Sequence, residues 1–140
     1  MPALKWWLRI VGALYLLEGL GLTAAALFAP DTYASMWAST VEGTLDGVAL
    51  RGILLAGLPG TLSWVLFGAL MWLFSTSFAH ARTLVIVVAA WELLVWAPID
   101  VVGVFNGFEI GRAAALVAIH AAIGISGIVF LRRAPVAVSA

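Results

Sequence analysis

Four long apolar stretches separated by short polar ones organise this chain. They run over about Leu8–Phe28, Val48–Phe74, Thr83–Phe105 and Arg112–Leu131. Each reaches the roughly 20 residues that a helix needs to cross about 30 Å of hydrocarbon. Strands of a membrane barrel would instead show alternating segments of about ten residues, and none is visible. The pattern predicts an all-α fold, an integral membrane four-helix antiparallel bundle forming a single domain over residues 1–140. The links Ser75–Arg82 and Asn106–Gly111 are short, which forces the helices they join to be antiparallel neighbours. The first connection, Ala29–Gly47, is longer and mostly polar, with a short interfacial helix expected around Tyr33–Trp37.

Composition agrees with this pattern. Hydrophobic residues make up 64% of the chain and charged residues 10%, where an ordinary globular domain carries about 25% charged residues. A soluble fold of 140 residues cannot hide so much apolar surface, so lipid is expected to be part of its solvent. The first stretch superficially resembles a secretory signal, with Lys5 and Arg9 ahead of an apolar run that ends near Ala24–Ala26. The run is too long for a typical signal core and contains Glu18, so it reads as a membrane span. Formal net charge is zero, and no basic patch with interleaved aromatics points to nucleic acid. Without cysteine there is no disulfide, thiolate nucleophile or Cys-ligated metal.

Charge placement predicts orientation. Lys5, Arg9, Arg82, Arg132 and Arg133 fall on one side of the bundle; Asp31, Glu42, Asp46, Asp100 and Glu109 collect on the other, with Arg51 and Arg112 near the helix ends there. The positive-inside rule then puts both termini in the cytoplasm of a cell with this protein in its inner (plasma) membrane. Trp6, Trp7 and Trp37 fall near predicted interfaces. Small residues at four-residue spacing mark helix contact faces in lipid. Gly52-Ala56-Gly60 offers one on the second helix and Ala118-Ala122-Ser126 one on the fourth, while the first carries Gly12 and Gly19. Pro59 and Pro98 lie inside the second and third helices and are expected to kink them.

Ionisable groups inside the apolar stretches are the candidate chemistry. Removing a charge to bilayer depth costs about 3 kcal/mol or more, so such residues usually face a bundle interior and serve a ligand, an ion or a proton. Glu18 and Glu92 both fall roughly mid-membrane, and His120 about 12 Å from the outer end of its helix at 1.5 Å per residue. Glu18 shares a face with Tyr15, Glu92 shares one with Trp96 and Asp100, and His120 shares one with Arg112, Leu116 and Gly124. Two layers are expected. The inner one is a ligand- or proton-binding cluster of Glu18, Glu92 and His120 with Tyr15 and Trp96. The outer one is a polar layer of Asp46, Arg51, Asp100, Glu109 and Arg112. Two close glutamates tend to share one proton, and a protonated His120 would neutralise one of them. The same cluster also reads as an interhelical hydrogen-bonded knot that fixes register.

Trp64, Trp72, Trp91 and Trp96 spread aromatic surface over several depths, available either to line an apolar pocket or to pack against lipid. No metal and no cofactor is expected. There is no HxxxH or ExxH spacing, His80 lies at the opposite edge, and a catalytic Ser-His-Asp set, a phosphate loop and a dinucleotide fingerprint are all missing.

Leu8-Arg9-Ile10-Val11-Gly12 with Tyr15 and Glu18, Asp46 with Leu50-Arg51-Gly52, Trp91-Glu92-Leu93 with Asp100, and the closing Leu131-Arg132-Arg133 together resemble the BphX-like family. DoxX-like small four-helix bacterial membrane proteins are similar in outline. The resemblance implies a bacterial inner-membrane protein and assigns no catalytic residues. Three functions are compatible with the sequence. The first is binding or translocation of a small hydrophobic or protonatable molecule, in a homo-oligomer if transport is involved. The second is a membrane-embedded isomerase, hydrolase or cyclase using Glu92 or Glu18 as acid and base. The third is an accessory subunit of a larger membrane complex.

Overall fold

Backbone polar groups in an apolar stretch have to be satisfied within that stretch, and the helix is the way a single segment does it. The computed structural model describes residues 2–33, 47–105 and 110–134, and no strand occurs among them. Helix α1 covers Pro2–Phe28 and α2 covers Gly47–Phe74. A third rod is continuous through α3 (Phe78–Trp91), a π-helical turn (Glu92–Trp96) and α4 (Ala97–Phe105). Helix α5 covers Ile110–Arg133. Four helical segments are long and apolar enough to cross a membrane: Ala3–Phe28, Gly57–Phe74, His80–Phe105 and Ile110–Arg133.

The helices outrun the apolar stretches. Helix α1 starts at Pro2 rather than near Leu8, and the third rod at Phe78 rather than Thr83. Hydropathy marks the hydrocarbon layer, whereas a helix continues until backbone chemistry stops it. Pro2 suits a first helical position, where the missing N–H has no partner to lose. Ser77, extended at φ −97° and ψ 117°, ends the turn before α3. At the other end of α1, Pro30 cannot donate and disfavours helical backbone at Ala29. A further helical turn at residues 30–33 follows, with the Tyr33 amide donating to the Ala29 carbonyl at 3.0 Å. The rest of the expected interfacial helix, past Tyr33, lies outside the described residues.

Close backbone approach sets the packing, as it does between helices that associate in lipid, where no hydrophobic drive brings them together. Helix α1 lies along α2 with Gly12 and Gly19 facing Gly68, Val65 and Thr61. A Cβ on Gly68 would stand 2.7 Å from the Gly12 carbonyl oxygen, and one on Gly19 would stand 2.8 Å from the Val65 amide. The Thr23 hydroxyl donates to the Thr61 hydroxyl at 2.9 Å along the same seam. The α1 seam on α2 does not use Gly52 or Gly60, since no described atom lies within 4 Å of a Cβ built on either; the Ala56 side chain lies outside the described residues. On α5 the buried small residues are Ala113, Gly124 and Gly127, while Ala118 and Ala122 are exposed. An apolar helix offers several small-residue rows, and four-residue spacing alone does not select the row that a partner's glycines fit.

Helix α5 packs on the third rod, and α1 and α2 both touch α3. Helices α2 and α5 share no contact among the described residues, so they sit diagonally in the bundle. The tightest core gathers at the start of α1, where Leu4, Trp7, Leu8 and Val11 meet Met71, Ala81, Val85 and Val88. The Trp7 indole donates to the Ser126 hydroxyl at 2.9 Å and pins α1 to α5 there. Nearby, Arg9 donates to the Ser75 hydroxyl at 3.3 Å and lies over the rings of Trp6 and Trp72. Outward faces carry large apolar side chains such as Leu17, Leu73, Leu94 and Phe105. Such a surface suits hydrocarbon rather than water.

Candidate functional site

The site is built around a backbone irregularity. Proline at 98 has no N–H, and in a regular α-helix its ring would press on the carbonyl four residues before it. The chain widens one turn ahead of it: the Ala97 amide donates to the Glu92 carbonyl, five residues back. This π-helical turn, Glu92–Trp96, changes what faces the interior. In a straight α-helix each residue turns about 100°, so Asp100 would sit about 80° round the axis from Glu92. A turn closed one residue later takes off about one such step, which leaves the two carboxylates within about 20° of each other. One side chain on a neighbouring helix then reaches both.

That side chain is His120, on α5. Its Nδ1 lies 2.5 Å from Glu92 Oε2, and its Nε2 lies 3.2 Å from Asp100 Oδ2. The first is a hydrogen bond; the second is a contact between charge-bearing groups off the bonding direction, and Asp100 Oδ2 is buried without a hydrogen-bond partner. The other Glu92 oxygen, Oε1, accepts the hydroxyl hydrogen of Tyr15 on α1. Glu92 is fully buried, so its carboxylate ties α1, the third rod and α5 together in an interior with no exposed atom of its own.

Proton counting constrains the cluster. A neutral imidazole carries one N–H, and both ring nitrogens of His120 face carboxyl oxygens. Two favourable contacts need a second proton, on the ring or on a carboxyl. Either way, His120, Glu92 and Asp100 with those two protons carry one net negative charge. The Trp96 indole stacks on the His120 ring, 6.0 Å between centroids and 16° between planes, and Trp64 of α2 meets Trp96 edge-on at 5.6 Å. Indole faces attract an imidazolium or any other cation.

Beside the cluster lies a cavity of about 350 Å³. Helix α1 contributes Leu14, Tyr15, Leu17 and Glu18, and α2 contributes Trp64. The third rod contributes Glu92 and Trp96, and α5 contributes Leu116, Ile119, His120 and Ile123. The walls are largely apolar. Leu14, Leu17 and Ile119 are more than half exposed on the outer surface, so the cavity has its rim between α1 and α5. Glu18 is exposed at this wall and hydrogen-bonded to no described residue. Its coupling to the protein is electrostatic, through the charge of His120, so its oxygens remain open to a hydrogen bond or ion pair with a ligand.

The residues expected in the inner cluster, Tyr15, Glu18, Glu92, Trp96 and His120, all line this cavity. Asp100 is expected on the Glu92 side by spacing and in an outer layer with Arg51 and Arg112 by depth; the π-helical turn brings it round to His120. Arg112 is exposed near the start of α5. Asp46, Glu109 and the Arg51 side chain lie outside the described residues. Of the four tryptophans, Trp64 and Trp96 line the cavity, while Trp72 lies under Arg9 and Trp91 packs 6.3 Å from Phe67. Sequence reading overlooked the π-helical turn, although Pro98 signals a backbone break there. It also overlooked the Leu14, Leu17, Ile119 and Ile123 walls, which nothing separates from lipid-facing apolar residues. Among the described residues no group of three or more His, Asp or Glu side chains is arranged to hold a metal ion.

No protein-family model, no characterised protein and no solved structure matches this chain.

Proposed function

We propose that this chain is a multi-pass plasma-membrane protein that binds, and as a homo-oligomer translocates, a small, largely apolar or protonatable molecule in its intramembrane cavity. The observation that carries this reading is the cavity itself. It has contributions from all four rods, apolar walls, and a few convergent polar groups, of which Glu18 has oxygens open to a ligand. Binding sites for small ligands have this character. The rim between α1 and α5 lies on a surface suited to hydrocarbon, so a lipid-soluble ligand reaches it from the bilayer. Binding is favoured over catalysis by Glu92, because both of its oxygens are occupied by Tyr15 and His120. Orientation with both termini cytoplasmic is supported by the excess of Lys and Arg on that side: Lys5, Arg9, Arg82, Arg132 and Arg133. An accessory role, or self-association, has its own support in the open α2 surface at Gly52 and Gly60.

Purified protein in lipid nanodiscs, titrated with small neutral aromatics and small aromatic amines, tests the reading through tryptophan fluorescence. The expected result is a saturable change from Trp64 and Trp96 that is lost in Leu116→Trp, a substitution that fills the cavity. A linear response, the same in both proteins, is partition into lipid and would refute it.

A further inference from the structure

The cavity has an electrostatic preference that its apolar walls do not reveal. Three carboxylates, Glu18, Glu92 and Asp100, cluster with one imidazole. With two protons in its contacts the His120 cluster carries one negative charge, and an ionised Glu18 would add a second at the wall. No Lys or Arg is among the described residues that line the cavity. In a medium of low dielectric an unbalanced negative site is costly unless a positive charge joins it. The independent observation is aromatic: Trp64 and Trp96 form a T-shaped pair in the same wall, which supplies a π face beside the carboxylate. Indole faces bind organic cations well and hydrated metal ions poorly, since a quaternary or protonated amine gives up little hydration.

Resting on the reading of this cavity as a binding site, the geometry points to a lipophilic organic cation, an amine or quaternary ammonium carrying an aromatic or aliphatic body, as its ligand. Glu18 is its counter-ion, the Trp64–Trp96 pair its aromatic wall, and Leu14, Leu17 and Ile119 the surface for its apolar body. Glu92 and Asp100 stay committed to His120 and contribute through their field, not by contact.

Benzyltrimethylammonium and neopentylbenzene have the same shape and differ in charge, which makes them the decisive pair. In nanodiscs of zwitterionic lipid, tryptophan fluorescence should saturate with benzyltrimethylammonium, with the neutral isostere about tenfold weaker or more. Glu18→Gln should weaken the cation about tenfold and leave the isostere unchanged, while Glu18→Asp restores binding. Equal saturable binding of the two compounds by the wild-type protein overturns the cation assignment and leaves the cavity reading standing. Saturation by neither overturns both. The wild-type comparison decides the question even if Glu18→Gln fails to fold.

Discussion

The bond between Tyr15 and Glu92 links α1 to the middle of the third rod, and cutting it from each side measures what it contributes. Tyr15→Phe keeps the ring and removes one donor; Tyr15 is almost fully buried, so no solvent replaces it. Hydrogen bonds between helices in membranes are worth about 0.6 kcal/mol on average and up to about 1.7. A fully buried carboxylate acceptor puts this one near the upper figure. Glu92→Leu is harsher, because it leaves the Tyr15 hydroxyl and the His120 ring without their acceptor. Each orphaned buried group costs about 1–3 kcal/mol, so the loss is about 2–6 kcal/mol. With Phe at position 15 only His120 is orphaned, so the double variant should cost about 3–5 kcal/mol less than the two single losses added. Reversible unfolding in mixed micelles, titrated with sodium dodecyl sulfate and followed by helical circular dichroism, gives all four free energies. Losses that add to within about 0.5 kcal/mol would mean that the two side chains are not coupled. A Glu92→Leu variant as stable as wild type would refute the orphaned-donor argument altogether.

Gly68→Ala should destabilise the bundle by about 1–3 kcal/mol, because the new Cβ meets the Gly12 carbonyl and the Leu16 amide, which cannot rotate away. Gly60→Ala, with nothing within 4 Å of its Cβ among the described residues, should be neutral or gain up to about 1 kcal/mol in the same detergent titration. Equal effects at the two sites would show that the α1–α2 seam is misplaced. Trp7→Phe and Ser126→Ala should each cost about 0.6–1.7 kcal/mol through the one bond they share, and combining them should add little further loss on that account. Full additivity would rule out the pin between α1 and α5.

Fold and site were legible in the sequence to different depths. Four membrane-length helices followed from hydropathy, since burying a backbone in lipid leaves few options for a single segment. Glu92, His120, Glu18, Tyr15 and Trp96 were legible as a group for a related reason: ionisable residues deep in apolar helices turn inward, and their depths matched. The helix contact rows were not legible. Gly60 and Gly68 are equally small, and only the position of Gly12 on the neighbouring helix separates them. Asp100 was legible on the Glu92 side but not as a neighbour of His120, because its depth points to an outer layer and a wheel of uniform pitch leaves it about 80° round from Glu92. A single wide turn invalidates every assignment downstream of it, and Pro98 marks where that happens without saying by how much. The cavity walls were invisible for a simpler reason. Leu17 and Ile119 beside a void have the same side chains as leucines and isoleucines beside lipid.

The wide turn at Glu92–Trp96 also makes chain length unusually forgiving at one place. Removing one residue from an ordinary stretch of a membrane helix rotates everything beyond it by about 100° and scrambles its partners. Removing one residue within this turn would convert it to a regular α turn and leave Glu92 and Asp100 seven positions apart. Seven steps of about 100° bring them to nearly the same face that they share now. The third rod thus holds one surplus residue whose loss spares the geometry around His120. Between Glu92 and Asp100 a one-residue deletion therefore keeps both carboxylates on one face, at the expense of the widening that accommodates Pro98.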